Sequence, residues 1–329
     1  MNPPASLLLA DPRVVVAALP HLLGFHPRES LVCLWLAGNE LVVLQRADLP
    51  EVHRPELIDE YLDAYLAPAR QVRCDGVVVV CVTKRSDLAR EVATLLPEVT
   101  PVHVRGLLIT DGSRVRDARA RGRWNWISTA DRQHAAEMFA ASCHQVAGAP
   151  RRDRAQVVAE VEFDPSAVAN RPPRDWGDES RAMLSEALRS GPDAILRDTH
   201  LVAQIGVHVQ GRDALLWWAA HTEPAQRREL LDRVLSALRA TPPGCAANLA
   251  SLCAAVAWMC GDGVRANAAV DRCLAEDGDH ILGRMIEAAM VTAVPPSSFI
   301  DMVQQIEAHA VGLDEGCVDV SLRGGYSRK

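Results

Sequence analysis

Residues 76–110 read GVVVVCVTKRSDLAREVATLLPEVTPVHVRGLLIT, and this stretch decides the fold class. Gly76–Val82 is a continuous run dominated by valine, as expected of a strand covered on both faces. The polar turn Thr83-Lys84-Arg85-Ser86 leads into a helix over Asp87–Leu96 that Ser86 is placed to cap. Pro101–Thr110 is a further strand, which Asp111-Gly112 ends. Strand, helix and strand in so short a span belong to a sheet with helices packed on it.

Working outward toward the N-terminus, Asp11-Pro12 supplies an N-cap followed by Pro at the first helical position. Val14–Leu23 then reads as an apolar helix that Gly24 can close in a left-handed C-cap. Pro20 is expected to kink that helix or stop it early. Ser30–Leu36 and Leu41–Arg46 are strand-like and flank Ala37-Gly38-Asn39-Glu40, which predicts a hairpin. Pro55 opens a helix with Leu57, Ile58, Tyr61, Leu62 and Tyr65 at helical spacing, and Trp124–Ile127 adds an edge strand. The fold class is therefore α/β, a mixed β-sheet with flanking helices over residues 1–165.

From His134 onward the pattern turns helical, which places an all-helical domain over residues 166–329 after a linker around Asn170–Asp175. The expected helices are Trp176–Arg189, Asp193–Val209, Arg212–Ala220, Pro224–Ala240, Cys245–Cys260, Val264–Ala275, His280–Val291 and Ser297–Ala310. Gly261-x-Gly263-x-x-Ala266 matches the dinucleotide fingerprint as a string, but a helical run precedes it where a strand is required, so it reads as a turn between helices. The same turn with Cys273–Asp277 is similar to one tetratricopeptide helical hairpin.

Composition narrows the function classes. The 329 residues are 49% hydrophobic and 23% charged, which excludes intrinsic disorder. Acids outnumber bases 42 to 35, for a net charge of −7, so nucleic acid is not an expected partner and a membrane surface is not either. No apolar run approaches the ~18–20 residues of a membrane span. The opening MNPPASLLLADPR lacks a basic segment before its apolar stretch, so a cytoplasmic location is expected. Nine cysteines without a C-x-x-C motif read as reduced core thiols. No zinc or calcium motif occurs, so neither a metal nor another cofactor is expected.

Two turns carry a resemblance. Leu23-Gly24-Phe25-His26-Pro27 with Ser30-Leu31-Val32, followed by Arg46-Ala47-Asp48-Leu49-Pro50, resembles an actinobacterial family catalogued as domain of unknown function 4192. Ala257-Trp258 through Gly261-Asp262-Gly263, then Leu274-Ala275 and Pro295-Pro296, looks like the helical tail of that family. The resemblance spans most of the chain and implies no particular activity. Relatives often carry a Cys-rich acidic stretch after the Trp-containing strand; residues 82–142 here contain no Cys, which argues against a metal or thiol site in that stretch.

Three groups of residues are candidates for chemistry. His26, Arg28 and Ser30 enter the first hairpin strand while Arg46 and Asp48 leave the second, so antiparallel pairing should gather them at one end of the sheet. There His26 could shuttle protons, Asp48 could orient it, and Arg28 or Arg46 could hold an anion; the alternative is a hydrogen-bonded structural corner. Lys84, Arg85 and Ser86, where a strand meets a helix start, form a weaker anion-binding candidate. Arg114, Arg116, Arg119, Arg121 and Arg123 run into Trp124 and Trp126; they read as a surface β-arm, or as a single-strand binder. Adjacent Cys143-His144 point apart on a helix and make a poor catalytic pair. The favoured reading is a non-catalytic interaction or regulatory protein whose acidic helical half docks a protein partner and whose α/β half senses a small anionic ligand. Alternatives are an enzyme acting on a phosphorylated or carboxylated metabolite at the hairpin end, and single-stranded nucleic-acid binding.

Overall fold

A computed structural model of the chain describes residues 11–49, 73–119, 123–140, 150–167 and 199–311, with Ala182 and Glu186. The expected helix after Pro55, that over Trp176–Arg189 apart from Ala182 and Glu186, the linker around 170–175, and Cys143-His144 lie outside those residues. The chain divides into two compact units: Met1–Arg154 with Val291–Val294, and Ala155–Met290 with Pro295–Lys329.

The first unit is a six-stranded mixed sheet. Helix α1 (Pro12–Leu23) starts on Asp11, whose carboxylate accepts from the Arg13 N–H, and ends on Gly24 at φ 77°. Of the two effects expected of Pro20, an early stop does not occur: α1 runs on to Leu23 with the Pro20 ring buried, where packing offsets the missing N–H. Strands β1 (Ser30–Ala37) and β2 (Glu40–Asp48) form the hairpin, with Gly38 at φ 58° supplying the backbone shape its two-residue turn requires.

Strand β3 (Gly76–Val82) inserts beside β1 in the antiparallel sense. Helix α2 (Ser86–Val99) then carries the chain to β4 (His103–Thr110), parallel to β3. Helix α2 begins one residue earlier than expected. Arg85 stands at its N-cap without a side-chain cap bond, and Ser86 is its first residue. Strands β5 (Arg114–Asp117) and β6 (Asn125–Trp126) complete the order β2-β1-β3-β4-β5-β6. The expected β-arm is thus a strand of the sheet: β5 pairs with β4 on one side and β6 on the other.

Alternation assigns the two faces. Leu31, Cys33 and Trp35 share one face with Val77, Val79, Cys81, Leu107 and Ile109, and Leu88, Ala89, Val92 and Leu96 of α2 pack on it. The intervening Val32, Leu34, Val78, Val80 and Leu108 are buried too. This explains why β3 reads as an unbroken apolar run. Helix α3 (Thr129–Ala140) packs on α1.

The second unit is helical throughout its described residues: α4 (Arg154–Ala159), α5 (Thr199–Gly206), α6 (Val209–His221), α7 (Pro224–Ala240), α8 (Ala247–Met259), α9 (Gly263–Glu276), α10 (Ile281–Val291) and α11 (Pro296–Gln304), then a 3-10 turn at Ala308–Val311. Helix α8 is buried from Leu249 to Met259, so it is apolar all round and forms the centre of the unit. The expected helix Asp193–Val209 instead stops at Gly206, because the Asn248 side chain takes the Val207 carbonyl (2.8 Å) and releases the chain from the helical ladder. Helix α11 is shorter than expected; beyond it the Trp217 indole takes the carbonyl of Ile306 (2.7 Å). Gly261-Asp262-Gly263 is a turn between helices: Gly261 has φ 79°, and the Asp262 carboxylate caps α9 by accepting from the Arg265 N–H. No helix among the described residues is long and apolar enough to cross a membrane.

Candidate functional site

The register brings both leading groups of candidates to one end of the sheet, since Ser30 lies opposite Asp48 on β2 and opposite Val82 on β3. What each group does there differs.

At the hairpin end the polar groups satisfy one another. Ser30 is fully buried. Its hydroxyl donates to the Arg28 carbonyl (2.7 Å) and accepts from Nε and Nη2 of Arg46 (3.0 and 2.8 Å). Those bonds use the one proton and both lone pairs of a hydroxyl, so Ser30 has nothing left with which to attack a substrate. The Arg46 guanidinium also pairs with Asp48 and lies 5.6 Å from the centroid of the Phe25 ring. Asp48 therefore holds Arg46. The charges acting on His26 are those of Arg132 and Arg28; partial desolvation first and these cations second hold its pKa below the ordinary imidazole value. His26 and Arg28 are exposed, and the backbone N–H of His26 donates to the Arg151 carbonyl (2.9 Å).

The turn between β3 and α2 already holds an anion, and it is the protein's own. Glu29 accepts from the Thr83 hydroxyl (2.8 Å), the Lys84 N–H (3.3 Å) and Arg85 Nε (2.7 Å). Burial raises its pKa, yet the bonds from Thr83, Arg85 and Lys84 outweigh burial and leave it below the usual carboxylate value. Glu29 has φ 41°, while its carbonyl accepts from the Leu49 N–H (2.7 Å). A left-handed backbone is unfavourable for Glu, and the latch helps to hold it. Of the Lys84, Arg85 and Ser86 group, the Lys84 N–H and the Arg85 guanidinium are thus engaged from within.

Lys84 also lines a cavity of about 360 Å³. Thr83, Lys84, Ile109, Asp111, Arg114, Arg116 and Trp124 line it. It lies at the carboxyl ends of the parallel strands β3 and β4, where open α/β sheets commonly bind ligands. Register explains the lining. Arg116 is opposite Ile109, and Arg114 is opposite Trp126. The guanidinium carbons of Arg114 and Arg116 stand 4.6 and 5.1 Å from the Trp124 ring centroid, a stacking that fixes both cations.

Their charges are balanced unequally. Asp111 accepts from Arg114 Nε (2.9 Å) and from the N–H groups of Ser113 and Arg114 (2.9 and 3.1 Å). Burial pushes its pKa up, but these bonds prevail and hold it low. Arg116 Nε is shielded from water and has no hydrogen-bond partner. Neither Lys84 nor Arg116 has an ion pair among the described residues.

Reading the sequence missed Glu29 and the joining of Lys84 to Arg116 and Trp124. The period-two placing of Arg114 and Arg116 was the available signal for one shared strand face. Among the described residues no three His, Cys, Asp or Glu side chains form a group that could hold a metal ion.

The class these features define is an α/β protein whose open mixed sheet ends in a cation-lined cavity, continued in sequence by an all-helical unit. The chain belongs to the DUF4192 family: the model of that family, described as a domain of unknown function, matches residues 12–297. Neither a curated protein nor a solved structure matches the chain.

Proposed function

We propose that this chain is a ligand-sensing regulatory protein whose α/β unit binds a small anion in the cavity at the carboxyl ends of β3 and β4. One observation carries the reading: Lys84 and Arg116 line the same cavity without a carboxylate partner among the described residues. Neither cation has an internal counter-charge among those residues, and a hydrogen bond from such a charged group to an anion in the cavity is worth about 1.5–3 kcal/mol. Arg114 and Asp111 compensate each other, which leaves Lys84 and Arg116 to attract the ligand. The hairpin-end group serves in this reading as the corner that fixes β1 against β2.

Calorimetric titration of the full chain with inorganic phosphate tests the reading. Saturable binding is expected, lost in Arg116→Met and weakened in Lys84→Met while Arg46→Met leaves it intact. No binding up to about 10 mM, equivalent to an affinity weaker than about 3 kcal/mol, would remove the basis for an anion site.

A further inference from the structure

Resting on that anion site, we propose that its ligand is a nucleoside phosphate, the phosphate held by Lys84 and Arg116 and the base stacked on Trp126. Strand β5 pairs with β6 in the antiparallel sense. Arg114 lies directly opposite Trp126, and Val115 lies opposite Asn125. Directly opposed residues of an antiparallel pair project from the same face with neighbouring Cβ atoms. Arg114, Arg116 and Trp126 therefore rise on the face that α2 covers further along the sheet, while Val115 is buried on the other.

The two tryptophans on this ribbon are used differently. Trp124 packs against the core beneath α2 and carries the two guanidinium groups. Trp126 is 71% exposed, and among the residues whose side chains are described no other Trp or Phe is exposed. It lies directly across the ladder from Arg114, which lines the cavity, on a strand only two residues long. An indole in water next to fixed cations is a stacking surface joined to a phosphate seat, the pairing by which proteins hold nucleotides without reading base identity.

Two uncommitted cations select the anion. A phosphate monoester carries a charge of about −1.5 to −2 near neutral pH, which Lys84 and Arg116 together match, whereas a monocarboxylate would leave one of them unpaired. The cavity admits the phosphate, and the base remains outside over Trp126. A free nucleotide fits better than a polynucleotide. Strand binders track several phosphates along a basic groove, while this chain has a net charge of −7 and the site offers two unpaired cations.

Titration of the full chain with adenosine 5′-monophosphate, inorganic phosphate, adenosine and a ten-residue adenylate strand tests the proposal. The nucleotide should bind about tenfold more tightly than phosphate, about 1.4 kcal/mol, and adenosine should bind more weakly than either. Trp126→Ala should reduce nucleotide affinity to that of phosphate, Trp126→Phe should restore most of it, and Arg116→Met should abolish both. Thermal melts should show all three variants folded, since Trp126 makes little of the core. Phosphate binding without a nucleotide preference, or a preference that survives in Trp126→Ala, overturns the nucleoside assignment and leaves the anion site standing. Absence of binding by both phosphate and nucleotide overturns both. Tighter, steeply salt-dependent binding of the adenylate strand overturns the choice of a free nucleotide.

Discussion

Replacing Arg46 with Met separates a structural corner from a ligand site. The Arg46 side chain is 12% exposed and joins Ser30, Asp48 and Phe25. Met keeps the methylene stem and removes the guanidinium. Hydrogen bonds made by a charged group are worth about 1.5–3 kcal/mol, and the two to Ser30 share one acceptor, so together they count nearer to one such bond than two. The pair with Asp48, whose side chain is 71% exposed, adds about 0–1 kcal/mol, and the stacking on Phe25 about 0.5–1 kcal/mol. The expected loss is about 2–5 kcal/mol, or roughly 5–20 °C in the melting temperature of a unit this size. Native-state hydrogen exchange read on β1 and β3 peptides reports this unit separately from the helical one. A double-mutant cycle with Ser30→Ala should return a coupling of at least about 1 kcal/mol. A variant within about 0.5 kcal/mol of wild type that has lost phosphate binding would refute the corner and make Arg46 a ligand group.

Three further outcomes follow from other parts of the chain. His280 accepts the Gly283 N–H at Nδ1 (3.2 Å), so its proton sits on Nε2, facing Asn248 Oδ1 (3.0 Å); burial first and Arg212 second lower its pKa from the ordinary 6.5. The unfolded chain therefore takes up the proton first, so this residue's stabilisation is complete above about pH 6.5 and is lost as pH falls toward the lower folded value; His280→Gln should flatten that part of a pH series of urea melts. Asp262 is buried, caps α9 and pairs with Arg265, which also holds Glu160 (2.6 Å), so Asp262→Ala should lower stability by about 3–5 kcal/mol in a urea titration, and a loss under about 1 kcal/mol would contradict the role given to the pair. Burial pushes the thiols of Cys81, Cys253 and Cys273 up to about 12, whereas Cys245 is exposed; peptide mapping after iodoacetamide treatment of the native protein should find Cys245 modified and those three intact, and early modification of Cys253 would show that the helical core opens.

What the sequence by itself determined is local. Asp11, Pro12 and Gly24 bound α1, the valine run made β3, and α7 occupies Pro224–Ala240 as its apolar spacing predicts; caps, β-branching and helical period act within a few residues and are visible in any short window. The hairpin was legible for the same reason, and with it the approach of residues 46–48 to Ser30, but a register shift between Trp35 and Leu36 sets Ser30 opposite Asp48 where the turn alone would give Ala47. Tertiary structure decided the rest. That β3 enters beside β1, and that β4 runs parallel to it, depends on how the whole sheet is covered, and only this placement sets Lys84 against Arg116 and Trp124. The same holds for Glu29, whose carboxylate reaches Thr83 across 54 residues. No local pattern marks such a partner, because long-range contacts are chosen by the burial and charge balance of the folded chain as a whole.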